Sequence, residues 1–467
     1  MEPEQIFARL AELTGKYRQT QTEGEFVSYL EPAELRQELD LEKISDPGDW
    51  DAIMHWVEQY LRYAVKTGHP GFINRMWSAA NLPSVVGEIV AVCTNTSACT
   101  YETAPVSTLM EKYMLKTMRD LVGFRGGIGQ MTTGSSNANM VAMMAARNRT
   151  GERVKQEGLF GQRELYAFVN EDAHYSMDRA ANILGLGTRH LLKIPVDDHG
   201  RMDVILLKKK LAEVSEAGGL PFFVAATAGT TVRGAYDEIA PLLALRERYQ
   251  FWLHVDGAWG GVALLSPRLR PLFLPHVERA DSFTLDFHKM LGSALMCNVL
   301  LLNGDSAMLR ETLSAGDESY IFREGKDGEV RDLGTLSLQC GRRVDSLKWF
   351  LDWKFYGQEG FAKRVERYLD LCAYAEEQVR QYSELEMVVP RESFNVCFRF
   401  RAENERQAAL LNTKLREQMH KKKEYLVGTG YVNKRFTLRL LITNLNVGEA
   451  EIDTFFQTVV RTGKELL

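Results

Sequence analysis

Between residues 85 and 305 the apolar positions follow two alternating patterns. Stretches such as VSTLMEKYMLKTMRDLVGF and ANMVAMMAARNR repeat their apolar residues at helical spacing. Between the helical stretches run short segments that are apolar almost throughout: ELYAFVN, PFFVAATAG, FWLHVD, SFTLDF and NVLLLN. Strands of that kind separated by helices predict an α/β fold built on a buried, mostly parallel sheet. Ligands in such sheets sit beyond the C-terminal ends of the strands.

The flanks read differently. Residues 1–65 carry helix-spaced apolar positions, among them Ile6, Leu10 and Leu13. Asp46-Pro47-Gly48 marks a break before the helical stretch DWDAIMHWVEQYLRYAV. Such an arm has little core of its own and is expected to pack on another subunit or on the main domain. Residues 66–340 form the expected large domain. Within it, the segment 304–338 is charged and glycine-bearing, which predicts an exposed, mobile loop. Residues 341–467 begin with the amphipathic helices VDSLKWFLDWKFYG and FAKRVERYLDLCAYAEEQVRQ, continue through the strand-like NVCFRFR and RFTLRLLITN, and close with a helix. They predict a smaller C-terminal α/β domain.

Composition narrows the function. The 467 residues carry a net charge of −5, with 45% hydrophobic and 25% charged residues. That balance argues against a nucleic-acid binder, which would show a strong basic bias. No run of 18 or more uncharged apolar residues appears, so no transmembrane helix is expected. The six cysteines form no CxxC pair and no zinc spacing, so no metal site is expected, and reduced thiols fit a cytoplasmic protein.

The candidate chemistry gathers at the predicted strand ends. FWLHVDGAWGG places Asp256 at the end of an apolar strand, and DSFTLDFHKMLG places His288 and Lys289 at the end of another. A buried carboxylate and a buried amine are costly alone. Together they suit pyridoxal phosphate, which needs an amine to hold as a Schiff base and an anion at its ring nitrogen. Ser135 and Ser136 open an apolar helix, either as a phosphate site or as simple N-caps. The preceding GGIG lacks the dinucleotide spacing. His174, just past ELYAFVN, either stacks on an aromatic cofactor or makes a local hydrogen bond. Thr230 and Thr231 follow PFFVAATAG and either bond a ligand or cap a turn. Arg439 sits among apolar residues and wants an anion, either a substrate carboxylate or an acid in a salt bridge between domains.

In chain order the motifs are HPGFINRMW, TYETAPV, TTGSSNANMVAMMAARN, DAHYSMDRAA, TAGTTVRGAYDEI, HVDGAWGG, FHKMLGSALMC, SLQCGRRVD and FTLRLLITN. Together they resemble the group II pyridoxal-phosphate-dependent amino-acid decarboxylases, nearest the glutamate and cysteine-sulfinate branch. The resemblance implies the fold-type-I architecture and a homodimer with active sites at the subunit interface. It implies that Lys289 is the Schiff-base lysine, that Asp256 pairs with the ring nitrogen, that Ala258 packs near the ring and that His174 stacks on it. Ser135, Ser136 and His288 would hold the phosphate. Thr231 would lie near the ring, with Thr230 as the alternative. Arg439 would bind the substrate α-carboxylate. Asn74-Arg75 stands where the acidic-substrate branch has Asn-Gln, and Arg75 would meet a second acidic group or pair with Glu102 or another acid across the interface.

Two departures stand out. The family's Asn-Pro before His-Lys is Asp286-Phe287 here. The loop tyrosine that reprotonates the family's intermediate falls near Arg331 here, and the nearest tyrosine is Tyr320. The leading expectation is decarboxylation of an acidic L-amino acid to its amine. The rivals are an aldehyde synthase, a decarboxylase of an aromatic amino acid, and a pseudoenzyme that keeps the fold for binding.

Overall fold

The computed structural model describes residues 1–41, 47–151, 153–314, 316–323, 325 and 330–467. These form two compact units. One comprises residues 1–79, 371–389 and 396–467, and the other residues 80–370 and 390–395.

The first unit begins with α1 (Pro3–Gln19), α2 (Pro32–Leu39), α3 (Trp50–Tyr63) and the short strand β1 (Phe72–Ile73). Neither α1 nor α2 buries a residue within this chain, and α3 buries only Met54. Of the break expected at residues 46–48, Asp46 lies outside the described residues. Asp49 caps α3, accepting from the amides of Asp51 and Ala52.

The second unit holds the seven-stranded sheet. Its elements are α4 (Leu82–Thr94), α5 (Pro105–Val122), β2 (Ile128–Thr132), α6 (Ser135–Asn148), α7 (Val154–Glu157), β3 (Leu165–Asn170), α8 (Ser176–Ile183), β4 (Leu191–Ile194), α9 (Val204–Glu216), β5 (Leu220–Thr227), α10 (Ile239–Tyr249), β6 (Trp252–Asp256), α11 (Arg270–Phe273), β7 (Ser282–Asp286), β8 (Asn298–Leu302) and α12 (Met308–Leu313). The strand order is β2-β8-β7-β6-β5-β3-β4. Only β8 runs against its neighbours β2 and β7, so the expected mostly parallel sheet is present. Strands β5 to β8 are buried along nearly their whole length, which is why they read as continuous apolar runs. Helix α6 lies on this sheet with Ala138, Val141, Ala142 and Ala145 fully buried. Its small side chains let the helix axis approach the strands closely.

Helix α13 (Asp345–Gln381) starts in the second unit and ends in the first. Gly357, at φ +61°, breaks it where the sequence separates two amphipathic stretches. The sequence draws a domain boundary after residue 340, whereas the compact unit continues to Asp370. The reason is polar bracing. Asp352 accepts from Asn81 Nδ2 at 3.0 Å and from Ser293 Oγ at 2.6 Å, and Arg364 Nη1 donates to Asn81 Oδ1 at 3.0 Å. These bonds tie α13, on both sides of Gly357, to Asn81 and to Ser293 in the segment that follows Lys289.

The first unit is completed by β9 (Leu385–Met387), most of β10 (Asn395–Phe400), α14 (Glu405–Lys421), β11 (Leu426–Val432), β12 (Arg435–Leu441) and α15 (Glu449–Glu465). Its five-stranded sheet has the order β1-β11-β12-β10-β9.

The segment 304–338 is less exposed than its charge pattern predicts. Residues 315, 324 and 326–329 lie outside the described residues. Of the rest, Met308, Leu309, Leu333 and Leu336 are buried in the same apolar cluster as α6.

Candidate active site

Strand register sets the frame. Thr227 on β5, Asp256 on β6 and Thr284 on β7 are adjacent across the C-terminal edge of the sheet. Asp256 is 5% exposed. Its Oδ2 accepts from Asn139 Nδ2 at 2.9 Å, and its Oδ1 accepts from the backbone amide of Ala258 at 3.1 Å. Two fixed donors hold this buried carboxylate in one orientation.

Ser135 and Ser136 form the first turn of α6, after Gly134 in a left-handed conformation at φ +111°. The hydroxyl oxygens of Ser135 and Thr284 are 3.4 Å apart, and Asn298 Nδ2 donates to Ser135 Oγ at 2.9 Å. Ser135 is buried and Ser136 exposed. The helix start therefore offers one held and one free hydroxyl beside unpaired amides, a fit for a phosphate.

His174 is half-buried, and its Nδ1 accepts from the Ser176 amide at 3.2 Å. Burial lowers its pKa, while the charges of Asp256 and Asp286 raise it and those of Lys289 and Arg179 lower it. All of these groups thus lie within electrostatic reach of one imidazole. Thr230 Oγ1 accepts from the Ala235 amide at 3.0 Å, so that hydroxyl shapes its own turn. Thr231 is half-buried.

Lys289 lies three residues beyond β7, in a turn rather than at the strand end itself. Its Nζ is 2.9 Å from Asp286 Oδ2. Asn298 Nδ2 donates to the other carboxylate oxygen at 2.7 Å. His288 Nδ1 is 2.8 Å from the Cys297 carbonyl oxygen, and burial lowers its pKa.

Ser135, His174, Asp256, Ala258, His288 and Lys289 thus gather at one edge of the large sheet. Asn74, Arg75 and Arg439 meet in the first unit. Arg439 on β12 pairs in register with Gly428 on β11, and its Nη2 donates to the Asn74 carbonyl at 3.1 Å. A Cβ at Gly428 would lie 3.1 Å from both Arg439 Nε and the Asn74 carbonyl oxygen, so a glycine makes the room. Burial lowers the pKa of Arg439, and the charge of Arg75 lowers it further.

Sequence reasoning missed Asn139, His254 and Asn298. A signal existed for one of them. His254 lies two residues before Asp256 on the same strand face. A separate cavity of about 730 Å³ opens elsewhere in the second unit, lined by Arg149, Trp252 and the Arg246–Asp281 ion pair. It contains none of the candidate residues.

A parallel-rich sheet with an amine and a buried carboxylate beyond its strand ends is the arrangement of a fold-type-I pyridoxal-phosphate enzyme. Residues 32–401 match the pyridoxal-dependent decarboxylase conserved domain, and the chain belongs to that family. It is 36% identical over 448 residues to mouse cysteine sulfinic acid decarboxylase, covering 93% of this chain and 90% of the relative. It is 34% identical over 450 residues to mouse acidic amino acid decarboxylase GADL1, covering 93% of this chain and 81% of the relative. The crystal structure of mouse CSAD matches with a TM-score of 0.92 at 33% identity, over 99% of each chain. The protein is an amino-acid decarboxylase, a carboxy-lyase, and pyridoxal phosphate is its cofactor.

Proposed function

We propose that the protein removes the α-carboxylate of an acidic L-amino acid (glutamate, aspartate, cysteine sulfinate or cysteate) to give the amine and carbon dioxide. The observation that carries this reading is the juxtaposition of Asp256, Lys289 and His174 at one sheet edge. The names of the relatives support an acidic substrate.

Bound pyridoxal phosphate supplies an aldehyde that captures amines and a protonated ring that accepts the electrons of the breaking carbon–carboxylate bond. In this reading Lys289 would hold the cofactor through its amine, Asp256 would face the ring nitrogen, His174 would stack on the ring and Ala258 would pack near it. Ser135, Ser136 and His288 would hold the phosphate, and Thr231 would lie near the ring. Arg439 takes the α-carboxylate through its guanidinium fork. Asn74 and Arg75 take the second acidic group. Two neighbouring guanidiniums suit a substrate with two anionic groups.

Arg331 supports a second reading. It stands near the position where the family pattern places a proton-donating tyrosine, and its Cζ lies 5.5 Å from the centre of the Tyr101 ring. Tyr320 is exposed. Lacking that donor, the enzyme could consume dioxygen and water and release aldehyde, ammonia and hydrogen peroxide with the carbon dioxide, as an aldehyde synthase does.

The working form is a homodimer in the cytoplasm. Helix α4 exposes Val86, Ile89, Val90 and Val92, and α5 exposes Val106, Leu109 and Tyr113. An apolar face of this kind needs a partner surface. All six cysteines are free, which suits a reducing compartment. No described helix is long and apolar enough to cross a membrane.

Replacing Lys289 by Ala tests the assignment. The variant should bind the cofactor without the visible absorbance of a lysine adduct and should release no carbon dioxide. Retained adduct absorbance would refute the role of Lys289.

A further inference from the structure

Behind Asp256 runs a buried chain of hydrogen bonds whose direction is set from the carboxylate end. Trp252 Nε1–H donates to Ser282 Oγ at 2.7 Å. Ser282 Oγ lies 2.7 Å from His254 Nδ1. His254 Nε2 lies 2.9 Å from Asn139 Oδ1. Asn139 Nδ2 donates to Asp256 Oδ2 at 2.9 Å and to Ser176 Oγ at 3.0 Å. An indole N–H can only donate, and an ionised carboxylate can only accept. Ser282 Oγ has two lone pairs and could accept from both Trp252 and His254, so the direction is fixed at the other end: the Asp256 carboxylate accepts from Asn139 Nδ2, which turns Asn139 Oδ1 toward His254 Nε2 and requires that nitrogen to carry a proton. A neutral His254 protonated on Nε2 leaves Nδ1 to accept the Ser282 proton. That proton occupies the Asn139 oxygen and leaves the amide N–H groups for Asp256.

The direction matters for Asn139. Were its amide rotated by half a turn, its oxygen would face the Asp256 carboxylate and its N–H would face the His254 N–H. Both contacts would be repulsive. The His254 N–H thus opposes that rotation, and Asn139 keeps its N–H on the Asp256 carboxylate.

We propose that His254 and Asn139 are positioning residues for the decarboxylation, forming a hydrogen-bonded relay with Ser282 and Trp252 that holds the Asp256 carboxylate aimed at the cofactor ring. The inference rests on the assignment of Asp256 to the ring nitrogen. The surroundings support it. His254 and Ser282 are fully buried, and the Phe223 ring lies nearly parallel to His254 with centroids 5.8 Å apart. Burial depresses His254 to about 4, and Asp256 is the one charged group acting on it among the described residues. The imidazole therefore stays neutral across the working pH range, as the relay requires.

The test uses the holoenzyme and four variants: His254→Phe, Asn139→Leu, the double variant, and Asp256→Asn as reference. Three quantities are read: kcat and KM, the cofactor's visible absorbance as a function of pH, and the cofactor dissociation constant. Partners that orient functional side chains, such as those behind metal ligands, commonly contribute about 10–100-fold. Each single variant should lower kcat by about tenfold or more, with KM nearly unchanged and the pH midpoint of the absorbance moved. The double variant should be no worse than the poorer single one, because both break the same relay. His254→Gln should recover part of the loss, since its amide N–H can still donate to Asn139. If His254→Phe does not fold, Ser282→Ala serves, with a smaller shift in the same direction. The proposal is overturned if these variants leave kcat and the pH midpoint unchanged while Asp256→Asn abolishes both. Should Asp256→Asn itself keep the wild-type spectrum, the ring-nitrogen assignment fails, and the relay falls with it.

Discussion

The Asp286 carboxylate is a buried counter-ion for Lys289, with 2.9 Å between Oδ2 and Nζ and only 2% of the aspartate exposed. Burial by itself would raise the pKa of Asp286. The charges of Lys289 and His288 and the Asn298 hydrogen bond outweigh it and hold the group below the ordinary carboxylate value. The residue that departs from the family's Asn-Pro pattern is thus the counter-ion of Lys289, the amine proposed to hold the cofactor.

Replacing Asp286 by Asn should make Lys289 easier to deprotonate, because a buried ammonium without its partner favours the neutral amine. An amine must be neutral to capture an aldehyde. Apoprotein carrying Asp286→Asn should therefore form its cofactor adduct at lower pH, with a midpoint lower by about one pH unit or more. Absorbance during reconstitution across pH measures this. An unmoved midpoint would remove Asp286 from any role in the amine's charge.

Buried charge also holds the second unit together. Arg342 Nη2 lies 2.5 Å from Glu111 Oε1, and Arg342 Nη1 donates to the Ala98 carbonyl at 2.7 Å. The same Glu111 oxygen accepts from the Met131 amide on β2 at 3.1 Å. Removing one partner of such a pair strands the other, at a cost of about 3–5 kcal/mol. Arg342→Ala should destabilise the protein by that amount in urea unfolding, whereas replacing both residues by apolar ones should cost less than the single change.

His254 makes stability depend on pH. Its folded value of about 4 lies below the 6.5 of an unfolded histidine. Between those values the unfolded chain binds the extra proton. The stability held above pH 6.5 is therefore lost as the pH falls toward 4. At ~1.4 kcal/mol per pH unit the loss is on the order of 3 kcal/mol. Asp237, pushed up to about 6 by burial, acts in the opposite direction over an overlapping window. The stability gap between wild type and His254→Phe isolates the histidine. That gap should shrink by roughly 3 kcal/mol between pH 7 and pH 4, and a constant gap would contradict the neutral tautomer.

Arg439→Met should keep the fold, since the side chain is buried and methionine fills a similar volume. We expect KM for the amino acid to rise by about tenfold or more, because one charge-assisted hydrogen-bonded pair contributes ~1.5–3 kcal/mol. Steady-state kinetics on the holoenzyme decide this. An unchanged KM would move the carboxylate site elsewhere.

Much of this was legible in the chain. The runs PFFVAATAG, FWLHVD, SFTLDF and NVLLLN became β5 to β8 because strands buried on both faces have no polar side to interrupt them. The helix that starts at Ser135 was readable from its serines and alanines, and the kink in α13 from Gly357. Strand β2, IGQMT, was not, because this short run follows Gly126-Gly127 and reads as part of a loop until it pairs with β8. Nor could spacing show that Asn139 reaches across to His254 and Asp256, which lie 115 and 117 positions later in the chain. Asp286 could be seen to be unusual, but its partners Lys289 and Asn298 meet it only through the turn that folds back after β7.

The most direct test is to incubate the reconstituted protein with acidic and aromatic amino acids while following carbon dioxide, amine, aldehyde and peroxide together. We expect carbon dioxide and the matching amine in equal amounts from one or more of glutamate, aspartate, cysteine sulfinate and cysteate, with little turnover of aromatic substrates. Carbon dioxide accompanied by aldehyde and peroxide, or turnover confined to aromatic amino acids, would contradict it.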